Sequence, residues 1–299
     1  MSGPAPFLRL LGRTPRLSRA HGLELAARRR LAGAWAGRHR TALIGSSLDP
    51  AEHRDYQPGD DLARIDWKAY ARSDRLTVRR FHDERQLPLC VLLDDSASMA
   101  YGTPTKAEVA QLLAAMLALL ALDQGDAVRV APGGEAAGWT PWLGGPSGAV
   151  AACTRLVAVA QRPRYDPAAA LALAATRLER RCLIVLISDL LDPPEALADS
   201  AAQAAARGHE VACWRVLDRS ELDLPAAWGD CLLSDPEQDT EPVPCSAAQA
   251  KAGYDRAFAA HAGELHRRLA GARADLALLR CGDDPGHALA GWLAARRLR

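Results

Sequence analysis

Residues 89–99 read Leu-Cys-Val-Leu-Leu-Asp-Asp-Ser-Ala-Ser-Met. The first five side chains are apolar without alternation, the pattern of a strand buried on both faces of a parallel sheet. The run then breaks into Asp94, Ser96 and Ser98, a D-x-S-x-S spacing. In an open α/β sheet, ligands bind beyond the carboxyl ends of the strands. Alternate residues of a loop leaving a strand can turn to one side, so one carboxylate and two hydroxyls can converge there. These are hard oxygen donors of the kind Mg²⁺ or Mn²⁺ takes. The same residue types also satisfy backbone donors in a strand-to-helix turn, with no ion involved.

Outward from this stretch the chain alternates between strand and helix patterns. Thr103-Pro104 opens a helix with Pro at its first position, and Thr105-Lys-Ala-Glu108 offers a capping box in nearly the same place. That helix runs to about Asp123, and residues 127–131 read as the next strand. A Gly/Trp/Pro-rich segment, 132–148, suits a short edge hairpin. Helical patterns follow near 149–161 and 167–181. Leu183 to Ser188 is a second pure apolar strand, ending at Asp189. A helix from Pro193, a strand at 210–217, a loop with a short strand at 218–245, a long helix at 246–270, a strand at 275–280 and a closing helix complete the pattern. Strands alternating with helices predict a doubly wound, mostly parallel α/β sheet. The best boundary lies near residue 84. It separates an N-terminal basic helix and charged turn-and-strand segment (1–84) from an α/β domain (85–299).

Composition narrows the class. Of 299 residues, 49% are hydrophobic and 24% charged, which fits a globular chain. Aromatics are 5%, so Ala, Leu and Val must build the core. The net charge of +1 offers no global pull toward nucleic acid or membrane. It is uneven, however: Met1 to Ala42 holds nine Arg against one acid, Glu24. Seven Cys, none spaced C-x-x-C, argue for a reducing compartment over a disulfide framework or a zinc site. The longest apolar stretch, Leu112 to Leu122, is too short for a bilayer, and the first residues do not form a signal peptide. The expectation is a cytoplasmic protein without a membrane span.

Two further constellations bear on chemistry. The strand ending at Ser188-Asp189 can lie beside the one ending at Asp94, which would bring Asp189 to the same cluster; Asp192 then suits the cap of the following helix. The segment from Arg54 to Arg72, which includes Tyr56, interleaves Arg54, Arg64 and Arg72 with Asp60, Asp61 and Asp66 around a Pro58-Gly59 turn, with Trp67 as its anchor. Charge of this density suits a structural ion-pair network. Phosphate-loop, nucleophile-elbow, zincin and dinucleotide motifs are missing from the chain, and the histidines are scattered.

The D-x-S-x-S strand end, with Asp189 on a later strand, resembles the metal-ion-dependent adhesion site of von Willebrand factor A domains. The block Arg54-Asp-Tyr-Gln-Pro-Gly-Asp-Asp-x-x-Arg-Ile-Asp-Trp-Lys-x-x-Ala-Arg72 is more specific. It resembles the hallmark of a bacterial family known as domain of unknown function fifty-eight. The resemblance implies a von Willebrand factor A-like fold, a Mg²⁺ or Mn²⁺ ion held by Asp94, Ser96, Ser98 and Asp189, and partnership with a MoxR-type AAA+ ATPase in chaperone-like assembly. Where the family places a Thr ligand, this chain has Tyr165, with Asp166 beside it as a possible metal or partner contact. The implied role is non-enzymatic protein binding through a partner's carboxylate. Two alternatives stand beside it. One is a Mg²⁺-dependent phosphoryl hydrolase of haloacid dehalogenase type, against which Ser96 holds the position of the second Asp. The other is a structural module that binds no ion.

Overall fold

Five consecutive buried residues, Leu89–Leu93, form β3, flanked on both sides by strands that are themselves buried. The computed structural model describes residues 24, 27, 31, 53–55, 77–79, 87–237 and 241–297. Counting from the amino terminus, β1 (His53–Asp55) and β2 (Thr77–Arg79) form an antiparallel pair. The central sheet takes β3, β4 (Val128–Pro132), β5 (Leu183–Ser188), β6 (Glu210–Leu217) and β9 (Asp275–Arg280) in the order β4-β3-β5-β6-β9, all parallel. A separate antiparallel pair joins β7 (Asp230–Leu233) to β8 (Val243–Ser246). The chain divides into two units, residues 35–86 and the remainder.

The helices are α1 (Lys106–Asp123), α2 (Gly145–Val157), α3 (Pro167–Arg177), α4 (Pro194–Ala206), the single turn α5 (Arg219–Leu222), α6 (Ala247–Gly271) and α7 (Pro285–Arg297). α1 packs with α2 and α7, while α4 packs with α3 and α6. Alternate residues of each strand therefore face different helix layers. Cys90, Leu92, Ile184 and Leu186 pack into one cluster with Leu171, Leu197 and Leu265. Trp214 of β6 meets Trp292 of α7 edge to face, with centroids 5.7 Å apart. This is the predicted doubly wound architecture. β3 is followed in the sheet by β4 on one side and β5 on the other, so the winding reverses between β3 and β5. That reversal opens a crevice at their carboxyl ends, the usual ligand position in such folds.

Local departures from expectation have physical reasons. α1 begins at Lys106, not Pro104, because Thr105 makes a full capping box with Glu108: the Thr105 hydroxyl accepts from the Glu108 N–H, and the Glu108 carboxylate accepts from the Thr105 N–H. The 132–148 segment does return along the sheet edge. Leu143 exchanges both backbone hydrogen bonds with Val128, at 2.7 and 2.8 Å. Arg129 lies over the Trp142 ring, 4.5 Å from its centroid, so this return covers the outer edge of β4. The residue preceding α4 is Pro193, and no side chain caps that helix. Asp192 is thus not its cap. Its carbonyl instead meets His261 Nε2 at 3.0 Å.

Candidate functional site

The backbone of β3 carries the site to its place. The Asp94 N–H donates to the Ile187 carbonyl at 3.0 Å, extending the parallel ladder one residue past the strand. The chain then turns through a short 3-10 segment, Ala97–Ala100. Asp94 is 4% exposed, and both its oxygens are engaged. Oδ1 accepts from the Ser96 N–H at 2.8 Å and the Ser96 hydroxyl at 2.6 Å, while Oδ2 accepts from the Ser188 hydroxyl at 2.6 Å. Burial first, and then the negative charge of Asp189, push the Asp94 carboxyl up to about 7.

The cluster continues across to β5. Ser96 Oγ and Ser98 Oγ are 3.0 Å apart, and the Ser98 hydroxyl donates to Asp189 Oδ2 at 2.8 Å. Asp94, Ser96, Ser98 and Asp189 are therefore one continuous chain of oxygens. Sequence reasoning missed the cation already beside it. Lys106, 1% exposed at the start of α1, donates to Asp189 Oδ2 at 2.8 Å and to Glu221 Oε1 at 2.6 Å. Burial alone would depress this ammonium, but the two carboxylates more than offset it, and its pKa lies above the ordinary lysine value. Arg215 on β6 donates from Nε to the Asp189 carbonyl at 2.9 Å, and Glu221 Oε2 accepts from the Asp218 N–H at 2.7 Å. Three strand ends, those of β3, β5 and β6, and two helix starts thus hold the site.

The other expected contacts lie elsewhere or beyond description. Asp166 caps α3, accepting from the Ala169 N–H at 2.9 Å. Tyr165 is buried in the apolar cluster under α3, with its hydroxyl unpartnered among the described residues. Of the Arg54–Arg72 block, only Arg54 and Asp55 fall within the described residues, on β1. Tyr56, Pro58, Gly59, Asp60, Asp61, Arg64, Asp66, Trp67 and Arg72 lie outside them. His261 is a satisfied histidine: with Nε2 donating to Asp192, its Nδ1 can accept from Arg215 at 3.3 Å.

The donor chemistry suits a small hard cation. Neighbouring ligands of an octahedral Mg²⁺ at about 2.1 Å lie about 3.0 Å apart, which is the Ser96–Ser98 oxygen separation. Both hydroxyls give their protons to carboxylates, leaving lone pairs free. Among the described residues no group of three His, Cys, Asp or Glu side chains is placed to hold a metal, so any ion here would depend on these hydroxyls.

Ser98, Lys106, Asp189 and Glu221 floor an open groove of about 870 Å³. Its walls hold Tyr101, Leu191, Trp228, Leu232 and Leu233. These are five of the seven large apolar side chains exposed among the described residues. No described helix is long and apolar enough to cross a membrane.

Comparison with known proteins agrees with the block quoted above. An uncharacterized protein of Mycobacterium tuberculosis, Rv1480, is 31% identical over 290 residues, covering 95% of this chain and 90% of that one. The uncharacterized protein YeaD of Bacillus subtilis is 41% identical over 51 residues, 17% of this chain. The crystal structure of the conserved hypothetical protein BatB from Bacteroides thetaiotaomicron matches 62% of this chain and 99% of that chain, at 17% identity and a TM-score of 0.37. That overlap is too loose for either chain's role to inform the other. The profile of the family described as "Protein of unknown function DUF58" matches residues 52–264, and the chain belongs to that family.

Proposed function

We propose that this protein is a non-enzymatic interaction module whose oxygen cluster holds a divalent cation, Mg²⁺ or Mn²⁺, and through it a carboxylate of a partner protein. Ser96 and Ser98 would be direct ligands, with Asp94 and Asp189 beside them. The ion would supply a concentrated positive charge that orients one acidic side chain. The observation that carries the reading is the apolar wall around a charged floor: Trp228, Leu232 and Leu233 stand exposed beside Ser98 and Asp189. Exposed apolar side chains gathered around one groove mark association surfaces. The partner we favour, from the family resemblance, is a MoxR-type AAA+ ATPase.

The hydrolase alternative fares worse. A nucleophilic Asp94 would need to be ionised and reachable, yet it is 4% exposed, held at both oxygens and pushed up to about 7. One observation does favour an ion-free structural module: the Lys106 ammonium already neutralises Asp189.

The test is retention of the partner ATPase by immobilised wild type and by a Ser96→Ala/Ser98→Ala variant, each with Mg²⁺ and with EDTA. Retention by wild type in Mg²⁺ alone supports the metal bridge. Equal retention by both baits refutes it. A thermal melt of wild type unmoved by millimolar Mg²⁺ or Mn²⁺ would favour the ion-free module.

A further inference from the structure

Cys231 and Cys245 stand directly opposite one another in the antiparallel β7–β8 pair. The register is anchored next to them, where the Ala247 N–H donates to the Gly229 carbonyl at 2.8 Å. Directly opposed residues of such a ladder project to the same face, with Cα atoms roughly 4.5–5.5 Å apart. A disulfide spans about 4.4–6.8 Å between Cα atoms, so the pair is within bonding reach without moving either strand. The other five cysteines differ in kind. All are buried, and burial pushes Cys90 and Cys213 up to about 12 and Cys182 and Cys281 up to about 11, which keeps them as unreactive thiols. Cys231 and Cys245 are half-buried, within reach of a small oxidant.

We propose that Cys231 and Cys245 are a modification site, forming a reversible intramolecular disulfide that staples β7, the strand carrying the Leu232–Leu233 wall of the groove, to β8. The oxidant is a low-molecular-weight disulfide of the glutathione class. One cysteine loses its proton to solvent, and its thiolate attacks a sulfur of the oxidant. One glutathione thiolate leaves and a mixed disulfide remains. The second cysteine, likewise deprotonated, attacks the protein sulfur and expels the second glutathione thiolate. Two protein thiols are oxidised, one oxidised glutathione becomes two reduced ones, and the two protons end on the released thiolates. The staple closes next to Leu232 and Leu233, so it ties β7, which carries these two wall residues, to β8. It does not depend on the oxygen cluster holding a metal.

The experiment equilibrates the full chain with reduced or oxidised glutathione, quenches with acid, and reads alkylation, intact mass and a peptide map. In the reduced protein, native alkylation is expected at Cys231 and Cys245. After oxidation neither is labelled, the mass falls by two hydrogens, the map shows a Cys231–Cys245 crosslink, and dithiothreitol reverses all three. In Cys231→Ser no second thiol can resolve the intermediate, so the glutathione adduct on Cys245 should accumulate at least tenfold above wild type. Stable adducts on both cysteines of wild type, disulfide-linked dimers, or equal adduct levels in wild type and Cys231→Ser would each overturn the proposal.

Discussion

Lys106→Met isolates the role of the buried ammonium. The methionine keeps most of the stem's apolar volume, so little cavity is created, and the charge alone is lost. In the wild type that charge serves two carboxylates, Asp189 at 2.8 Å and Glu221 at 2.6 Å, whose side chains are only 9% and 18% exposed. Removing one partner from a buried ion pair leaves the remaining charge uncompensated, at about 3–5 kcal/mol. For a chain of this size each kcal/mol moves the melting midpoint by roughly 2–4 °C, so the variant should melt roughly 6–20 °C below wild type in EDTA. Under the proposed function a divalent cation competes with the ammonium for Asp189. In the variant it has no competitor. Mg²⁺ should therefore restore more stability to Lys106→Met than it adds to wild type, approaching about 2.7 kcal/mol at a concentration one hundred times the dissociation constant. Thermal and urea unfolding with and without Mg²⁺ measure both quantities. A loss under about 1 kcal/mol in EDTA would refute the claim that the ammonium holds these carboxylates together. Equal Mg²⁺ effects on the two proteins would refute the competition.

Asp94 makes the metal-free protein sensitive to pH. Its carboxyl sits at about 7 when folded against roughly 3.9 unfolded. Its protonated form is thus favoured by folding, a contribution fully present below about pH 4 and lost as pH rises through about 7. Roughly three pH units at about 1.4 kcal/mol each bound the loss near 4 kcal/mol. Urea unfolding of wild type minus Asp94→Asn from acid to neutral pH should show that decline, and saturating Mg²⁺ should flatten it. A Leu232→Asp/Leu233→Asp variant should keep wild-type stability within about 0.5 kcal/mol, since these side chains are 68% and 44% exposed. It should lose at least about tenfold of partner retention if a central apolar contact worth about 1.4 kcal/mol or more is removed. Gly133→Ala should cost at least about 2 kcal/mol in urea unfolding. Its φ is +73°, and an added Cβ would fall 2.8 Å from both Arg162 Cζ and Asp95 Oδ2. At Gly145, φ is +62° with open space around the Cβ position, so Gly145→Ala should cost only about 1–2 kcal/mol.

What could be read in advance follows the range over which each signal acts. β3 and β5 announce themselves because burial on both faces demands uninterrupted apolar runs, and the break to Asp94 and Asp189 marks where each strand leaves the core. Their adjacency makes the Ser98–Asp189 contact across 91 positions a consequence of topology. Lys106 escaped notice although it left a local sign. A cation in the first turn of a helix opposes the helix dipole, so it needs carboxylates from outside, and here Asp189 and Glu221 supply them. Glu221 lies 115 residues downstream on α5, and no local pattern ties so short a turn to this site. Asp192 misled for the opposite reason: an Asp before two prolines is a good cap by composition, yet Pro193 takes the cap position and adds no side-chain acceptor. The apolar wall was equally hidden, because Leu232 and Leu233 on β7 read as any short strand until their exposure is known. The apolar wall beside Asp189 is what separates a helix-capping turn from a binding site. Trp228, Leu232 and Leu233 come from segments far from Asp94 in sequence and meet Ser98 and Asp189 at the crevice between β3 and β5.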